Sequence, residues 1–383
     1  MNNVEELQSK TIDWLRFPLM AMVVMIHVSL CVNADYSLPT MNLTISAFIH
    51  YLFASGICFA AVPTFFFISG YLFFTGTNKD TPPSLTYYIT KWKKRIKSIL
   101  IPLVIITATF LLIHYLILIA RAIHGGGPMP SIIDVLNEHG WLRIFWDNNR
   151  LAEINNPARK NIIGVTMHSN FPMFSPMWYL RDLIVVILLS PLVYYFVTKT
   201  KKVGLFVVAI LYVLNVWIPL EGFSASAFFF FSLGAYYRIC NKLFLEEFNK
   251  AKYVSYIIAI AALVLMFVFH WYNDQLEGIF VRTYIVAGVI CFVNIASAIV
   301  ARDRWKMPAV LTQSSFFVYL VHNLYLSGVV GYLVSRVIPA SNQALIILNY
   351  FVVVALTLFL SVMIYIIMKK ICPKVLAVVS GGR

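Results

Sequence analysis

Arg16 and His27 fall within one hydrophobic run, residues 12–32. Their spacing corresponds to about 1100° of helical rotation, ~20° past three full turns, so both lie on one helix face, roughly 16 Å apart along the axis. A cation and a titratable imidazole are costly in lipid, so both should face a protein interior or a wet cavity. An imidazole with a pKa of about 6.5 suits removal of a proton from a hydroxyl at neutral pH. The plainer reading of a lone membrane histidine is helix packing through a hydrogen bond. The arginine on the same face favours chemistry. Arg16 sits near the end of its helix, where it could snorkel or pair with Asp13 one turn earlier. Its functional alternative is to hold a phosphate or carbonyl of a cytoplasmic cofactor.

Four further groups carry reactive residue types. PTFFFISGYLFF, residues 63–74, has a helix-interrupting proline and a Ser69-Gly70 pair that permits close backbone approach. Ser69 has no triad partner nearby in sequence, so a nucleophilic role is disfavoured. KWKKRIKSILIP, residues 91–102, reads as a basic anchor ahead of a helix, or as a cationic rim for phosphates with Arg95 nearest the membrane. Trp178, Arg181 and Asp182 open a later helix, and the last two should point roughly 100° apart and seek partners on other helices or an outer loop. His322 lies within SSFFVYLVHN, residues 314–323, and reads as structural unless it meets the first helix.

The elements that must position these residues are membrane helices. The 383-residue chain is 60% hydrophobic and 12% charged, with a mean hydropathy of +0.80. A soluble chain would carry about 25% charged residues. The expectation is an all-α integral membrane protein of ten transmembrane helices, at 12–32, 46–75, 98–120, 177–197, 203–219, 224–241, 253–271, 281–300, 312–335 and 344–368. The net charge of +14 would suggest nucleic acid in a soluble chain, but here it follows the positive-inside rule. Alternate loops carry 21 basic residues against seven on the other side, which predicts cytoplasmic termini. The first segment lacks a small-residue cleavage site and reads as a retained helix.

No linker marks a second domain, so residues 1–383 read as one unit with a long extracytoplasmic loop at 121–176. That loop holds HGGGPMP and two tryptophans, Trp141 and Trp146. It suits either a cover over a cavity mouth, with aromatic faces for a sugar, or a connector anchored at the bilayer surface. The triple glycine is not a phosphate loop, since no Gly-Lys-Ser/Thr follows. Cys31, Cys58, Cys240, Cys291 and Cys372 have neither redox nor metal-ligand spacing, and no metal is expected.

IDWLRFPLMAMVVMIH (12–27), VPTFFFISGYLFF (62–74), KRIKSILIP (94–102) and SPMWYLRDLIVVILLSPLVYY (175–195), with SSFFVYLVHN, occur in this order across most of the chain. The set resembles the family-3 membrane acyltransferases, which acylate bacterial envelope glycans and related acceptors. The resemblance implies transfer of an acyl group, commonly acetyl from acetyl-CoA, to a sugar hydroxyl in the cytoplasmic membrane. It implies His27 as the catalytic residue with Arg16 beside it. Arg95 and the Ser69-Gly70 break also match family positions, with less defined roles. Taken with the residue types above, Arg95, Lys94 and Ser69 are the candidates on the donor side, and Trp178, Arg181, Asp182 and His322 on the acceptor side. The implied partners are a cell-surface glycan or lipid-linked sugar, the bilayer and other glycan-assembly proteins. No appended extracellular hydrolase-like domain is expected, which leaves the acceptor open. A transporter of lipid-linked sugars or small amphiphiles is the competing reading, because buried charges and broken helices serve transport as well.

Overall fold

The computed structural model describes residues 3–28, 44–147, 159–167, 171–303 and 305–382. Helix α1 runs Asn3–His27, so it starts well before the expected residue 12. Its polar opening is itself good helix sequence: Glu5 and Glu6 sit in the first turn, against the positive end of the helix dipole, and Lys10 pairs with Glu6 at 2.8 Å. Pro18 is accommodated within the helix. Residues 29–32 of the expected span, with Cys31, lie outside the described residues.

Helix α2, Ile45–Phe73, leaves the α path before Pro63 rather than at it. A π turn at Tyr51–Gly56 is followed by a 3-10 turn at Ile57–Ala60. Proline has no N–H, and its ring clashes with the carbonyl four residues back, so the ladder is already broken where Ala61–Phe73 begins. Helix α3, Leu85–Gly125, absorbs the basic run that was expected to precede a helix. Lysine and arginine are good helix formers, and neither Gly nor Pro occurs between Leu85 and Ile101. Ser84 caps the N-terminus by accepting from Tyr87 N–H. At the other end the glycine run stops the helix. Gly126 is left-handed (φ +66°), and Gly127 N–H donates to Ala122 carbonyl.

The described part of the outer loop is not featureless. It contains α4, Ile132–His139, a single helical turn at Arg143–Trp146, and a two-residue antiparallel pair, Arg159–Lys160 with Thr166–Met167. That pair is the one exception to an all-helical architecture among the described residues.

The remaining helices are α5 (Trp178–Leu188), α6 (Ser190–Val213), α7 (Ala225–Ile239), α8 (Phe244–Lys250), α9 (Lys252–Phe269), α10 (Asp274–Ala301), α11 (Ala309–Val337), α12 (Gln343–Ile371) and α13 (Pro373–Val379). Six described helices, α2, α3, α9, α10, α11 and α12, are each long and apolar enough to cross a membrane. The pair 175–188 and 190–213, bent by 66°, makes a seventh if taken as one span. Within α6, Lys201 has φ 53° and ψ −134°, so the helix breaks at the basic run 199–202.

Helix α1 packs on α2, α10, α11 and α12. Leu15, Leu19, Met20, Val23 and Val24 along it are all buried. The backbones of α2 and α7 approach closely at two glycines. A Cβ on Gly70 would lie 2.0 Å from Phe231 carbonyl oxygen, and one on Gly234 would lie 2.0 Å from Phe67 carbonyl oxygen. Small residues let backbones touch where lipid supplies no hydrophobic drive between helices. Gly70→Ala should push α2 and α7 apart and destabilise by about 1–3 kcal/mol. A lower melting temperature in detergent than for Ser69→Ala would show it; equal melting temperatures would contradict a rigid crossing.

Candidate active site

Arg16, Met20, Val23 and His27 recur at helical spacing along one face of α1. The first three line a cavity of about 470 Å³. The cavity is walled by α2 through Phe65, Ser69 and Leu72, and by α3 through Arg95 and Ile99. Helix α5 adds Tyr179 and Leu183, and α11 adds Gln313, Ser315 and Tyr319. Two arginines from different helices therefore share one largely apolar chamber. Such a chamber, with a few placed polar groups, is the usual form of a small-molecule site. Arg16 also pairs with Asp13 at 3.2 Å, and both side chains are substantially exposed. The other walls are held by local bonds: Tyr319 hydroxyl donates to Pro176 carbonyl, and Gln313 Oε1 accepts from Lys369 Nζ at 2.9 Å.

His27 lies one turn beyond Val23. Its Nδ1 is 2.8 Å from Val23 carbonyl oxygen. A carbonyl only accepts, so Nδ1 carries the proton of the neutral ring and Nε2 is the basic nitrogen. His322 is arranged in the same way, with Nδ1 2.8 Å from Tyr319 carbonyl oxygen. The two rings meet edge to face, with centroids 5.1 Å apart. His322 is fully buried, and its Nε2 has no hydrogen-bond partner among the described residues. Leaving a buried polar atom unpaired is costly, and functional sites are where such atoms are retained.

The chain is distorted where these rings meet. Helix α11 passes through a π turn at His322–Leu326, and Tyr325 adopts a left-handed conformation, φ 59°. Such a backbone costs on the order of 1–3 kcal/mol and persists only where its surroundings hold it. Here Tyr325 stacks on Phe110 at 5.3 Å, and its hydroxyl lies 3.3 Å from His114 Nδ1. The carbonyls at the end of α1 are also satisfied from outside. Tyr350 hydroxyl donates to Met25 carbonyl at 2.8 Å, and His50 Nε2 lies 3.4 Å from Val28 carbonyl oxygen.

The structure thus gathers Arg16, Arg95 and Ser69 around one cavity and brings His27 against His322. Lys94 is exposed and does not line the cavity. Trp178 packs on Phe66 and Phe171 instead, at 6.3 and 6.5 Å. Arg181 and Asp182, expected to point apart, pair with each other, Nε to Oδ1 at 2.9 Å. The guanidinium is long enough to fold back over its neighbour. It also donates to Trp146 carbonyl and lies over the Trp146 ring at 5.8 Å, so the expected partner on the outer loop is present as well. Tyr179 and Tyr319 were not singled out in advance. A signal for Tyr319 existed, since Ser315, Tyr319 and His322 follow a helical i, i+4, i+7 pattern.

Long apolar helices around an internal cavity with two cations define a multi-pass helical membrane protein. A family model described as an acyltransferase domain matches residues 9–366, nearly the whole chain. The chain belongs to acyltransferase family 3. No curated protein and no solved structure matches it.

Proposed function

We propose that this membrane acyltransferase moves an acyl group, specifically acetyl, from cytoplasmic acyl-CoA to a sugar hydroxyl of a cell-envelope glycan, exopolysaccharide or lipid-linked precursor. The observation that carries the reading is the cavity that joins Arg16 and Arg95 and runs along α1 to within one turn of His27. Coenzyme A is anionic at its nucleotide and thin along its pantetheine arm. Two arginines suit its phosphates. The distance from Arg16 to His27 along the helix, roughly 16 Å, is on the scale of the extended arm.

In this reading His27 Nε2 takes the proton of the acceptor hydroxyl, and the oxygen attacks the thioester carbonyl carbon. The C–S bond breaks, the proton passes from His27 to the sulfur, and an ester and the free thiol leave. A variant forms an acyl-imidazole on His27 first, which the acceptor then displaces. The proposed topology has the whole chain as one domain in the cytoplasmic membrane, with ten spans and both termini cytoplasmic. The six long helices are joined by α1, by α5 with the first half of α6, by the second half of α6 past Lys201, and by α7.

The test uses purified protein in nanodiscs with labelled acetyl-CoA. Slow release of free coenzyme A without acceptor, faster with a glycan acceptor, supports the reading. No turnover with acetyl-CoA or longer acyl donors would move the assignment to a transporter. Arg16→Ala should raise KM for acetyl-CoA about tenfold or more, the worth of a charge-assisted hydrogen bond. An unchanged KM would remove Arg16 from the donor site.

A further inference from the structure

A second set of cations lies beside the cavity, away from the histidines. Lys91, one turn before Arg95 on α3, lies over the Tyr87 ring at 5.2 Å and the Phe73 ring at 6.0 Å. Arg238, at the end of α7, lies over the Tyr71 ring at 5.6 Å, and its Nη1 is 3.5 Å from the Tyr71 hydroxyl. Lys91 lies within electrostatic reach of Arg95, Lys94 and Arg238, and Tyr87 within reach of both Arg238 and Arg95. Among the described residues none of Lys91, Arg95 and Arg238 is paired with a carboxylate. Like charges one helical turn apart repel, and aromatic faces compensate only part of that. Arg238 also lines a separate cavity of about 400 Å³ with Lys79 and Asn241, where Asp80 is the one carboxylate.

Tyr71 supplies the second line of argument. Gln8 Oε1 accepts from Leu245 N–H, which turns the amide so that Nε2 donates to the Tyr71 hydroxyl at 2.8 Å. The guanidinium of Arg238 approaches the same oxygen. Two donors therefore converge on one hydroxyl oxygen, and the Tyr71 proton has no acceptor among the described residues. Three unpaired cations and a free O–H donor want an acceptor-only anion with several oxygens. Tyr71 is followed by Leu72, which lines the first cavity with Ser69.

We propose that Tyr71, Lys91 and Arg238, with Arg95, form a phosphate-binding site that holds the nucleotide phosphates of the acyl donor. The site lies on the basic side assigned to the cytoplasm and anchors the donor while its arm enters the cavity. This inference rests on the acyl-CoA reading above, and the two can fail separately.

The experiment compares acetyl-CoA with acetyl-pantetheine, which has the arm and the thioester but no nucleotide. Both are assayed in nanodiscs of neutral phosphatidylcholine, so that anionic headgroups do not compete. Arg238→Gln should raise KM for acetyl-CoA about tenfold with kcat retained, and leave acetyl-pantetheine kinetics unchanged. Arg238→Lys should recover part of the loss, which separates charge from fold. If Arg238→Gln alters both donors equally, or neither, the phosphate site is wrong while the acyl-CoA reading stands. An effect that appears only in anionic nanodiscs, equal for both donors, would mean a lipid-headgroup site and overturn the inference. If the wild type turns over neither donor, both readings fall.

Discussion

His27→Ala should lower acyl transfer by a factor of about 10²–10⁴, the range a positioned general acid–base contributes. The ring sits with Nδ1 donating to its own helix, so the variant loses Nε2 and leaves Val23 carbonyl without that donor. The fold should persist. The buried positions of α1 belong mainly to Leu15, Leu19, Met20, Val23 and Val24 rather than to the imidazole. His27→Gln separates a structural role of the ring from a chemical one. Glutamine restores a donor to the carbonyl but has no basic nitrogen, so it should be as inactive as alanine. Retained label on wild-type protein after acetyl-CoA treatment, absent in both variants, would favour the acyl-imidazole. Wild-type rates in a well-folded His27→Ala protein would rule out this histidine as the catalytic residue.

Removing Asp182 should be the most damaging single change to stability. Arg181 and Asp182 are 6% and 1% exposed, and the carboxylate sits directly on the guanidinium at 2.9 Å. Breaking a buried pair from one side leaves an uncompensated charge and costs on the order of 3–5 kcal/mol. Asp182→Ala should therefore melt well below wild type in the same detergent. Arg181→Met with Asp182→Leu should recover most of that loss, because no lone charge remains. Equal instability of the single and double variants would point to bonds other than the pair, such as the one from Arg181 to Trp146 carbonyl.

Much of the site was legible in the sequence where its logic is local. The common face of Arg16 and His27 follows from helical geometry, and Asp13 lies within reach of Arg16 because it is one turn away. Gly70 marks a close backbone approach because no other residue permits it. What stayed hidden depends on tertiary contact. That His322 reaches His27 depends on how α11 packs against α1, and no spacing within one segment reports that. Cβ directions alone do not reveal the Arg181–Asp182 pair, because the arginine is long enough to fold back over its neighbour. The basic run Lys91–Lys97 resembles a loop by charge, yet its residues are strong helix formers, and the chain stays helical through it with a π turn at Ile96–Leu100. The break at Tyr325 has no glycine or proline to announce it. Stacking on Phe110 holds it, and that contact joins residues far apart in the chain.

Val23 and Tyr319 line the cavity, and His27 and His322 lie about one helical turn further along α1 and α11. A living membrane holds a voltage worth about 2.3 kcal/mol per elementary charge per 100 mV. Any catalyst that offers a cytoplasmic thioester to an acceptor in another compartment must do so without letting ions run down that gradient. Under the proposed function, the buried Val23 and Tyr319 would meet this demand by closing around a slender arm, so that the thioester reaches His27 without a water column beside it.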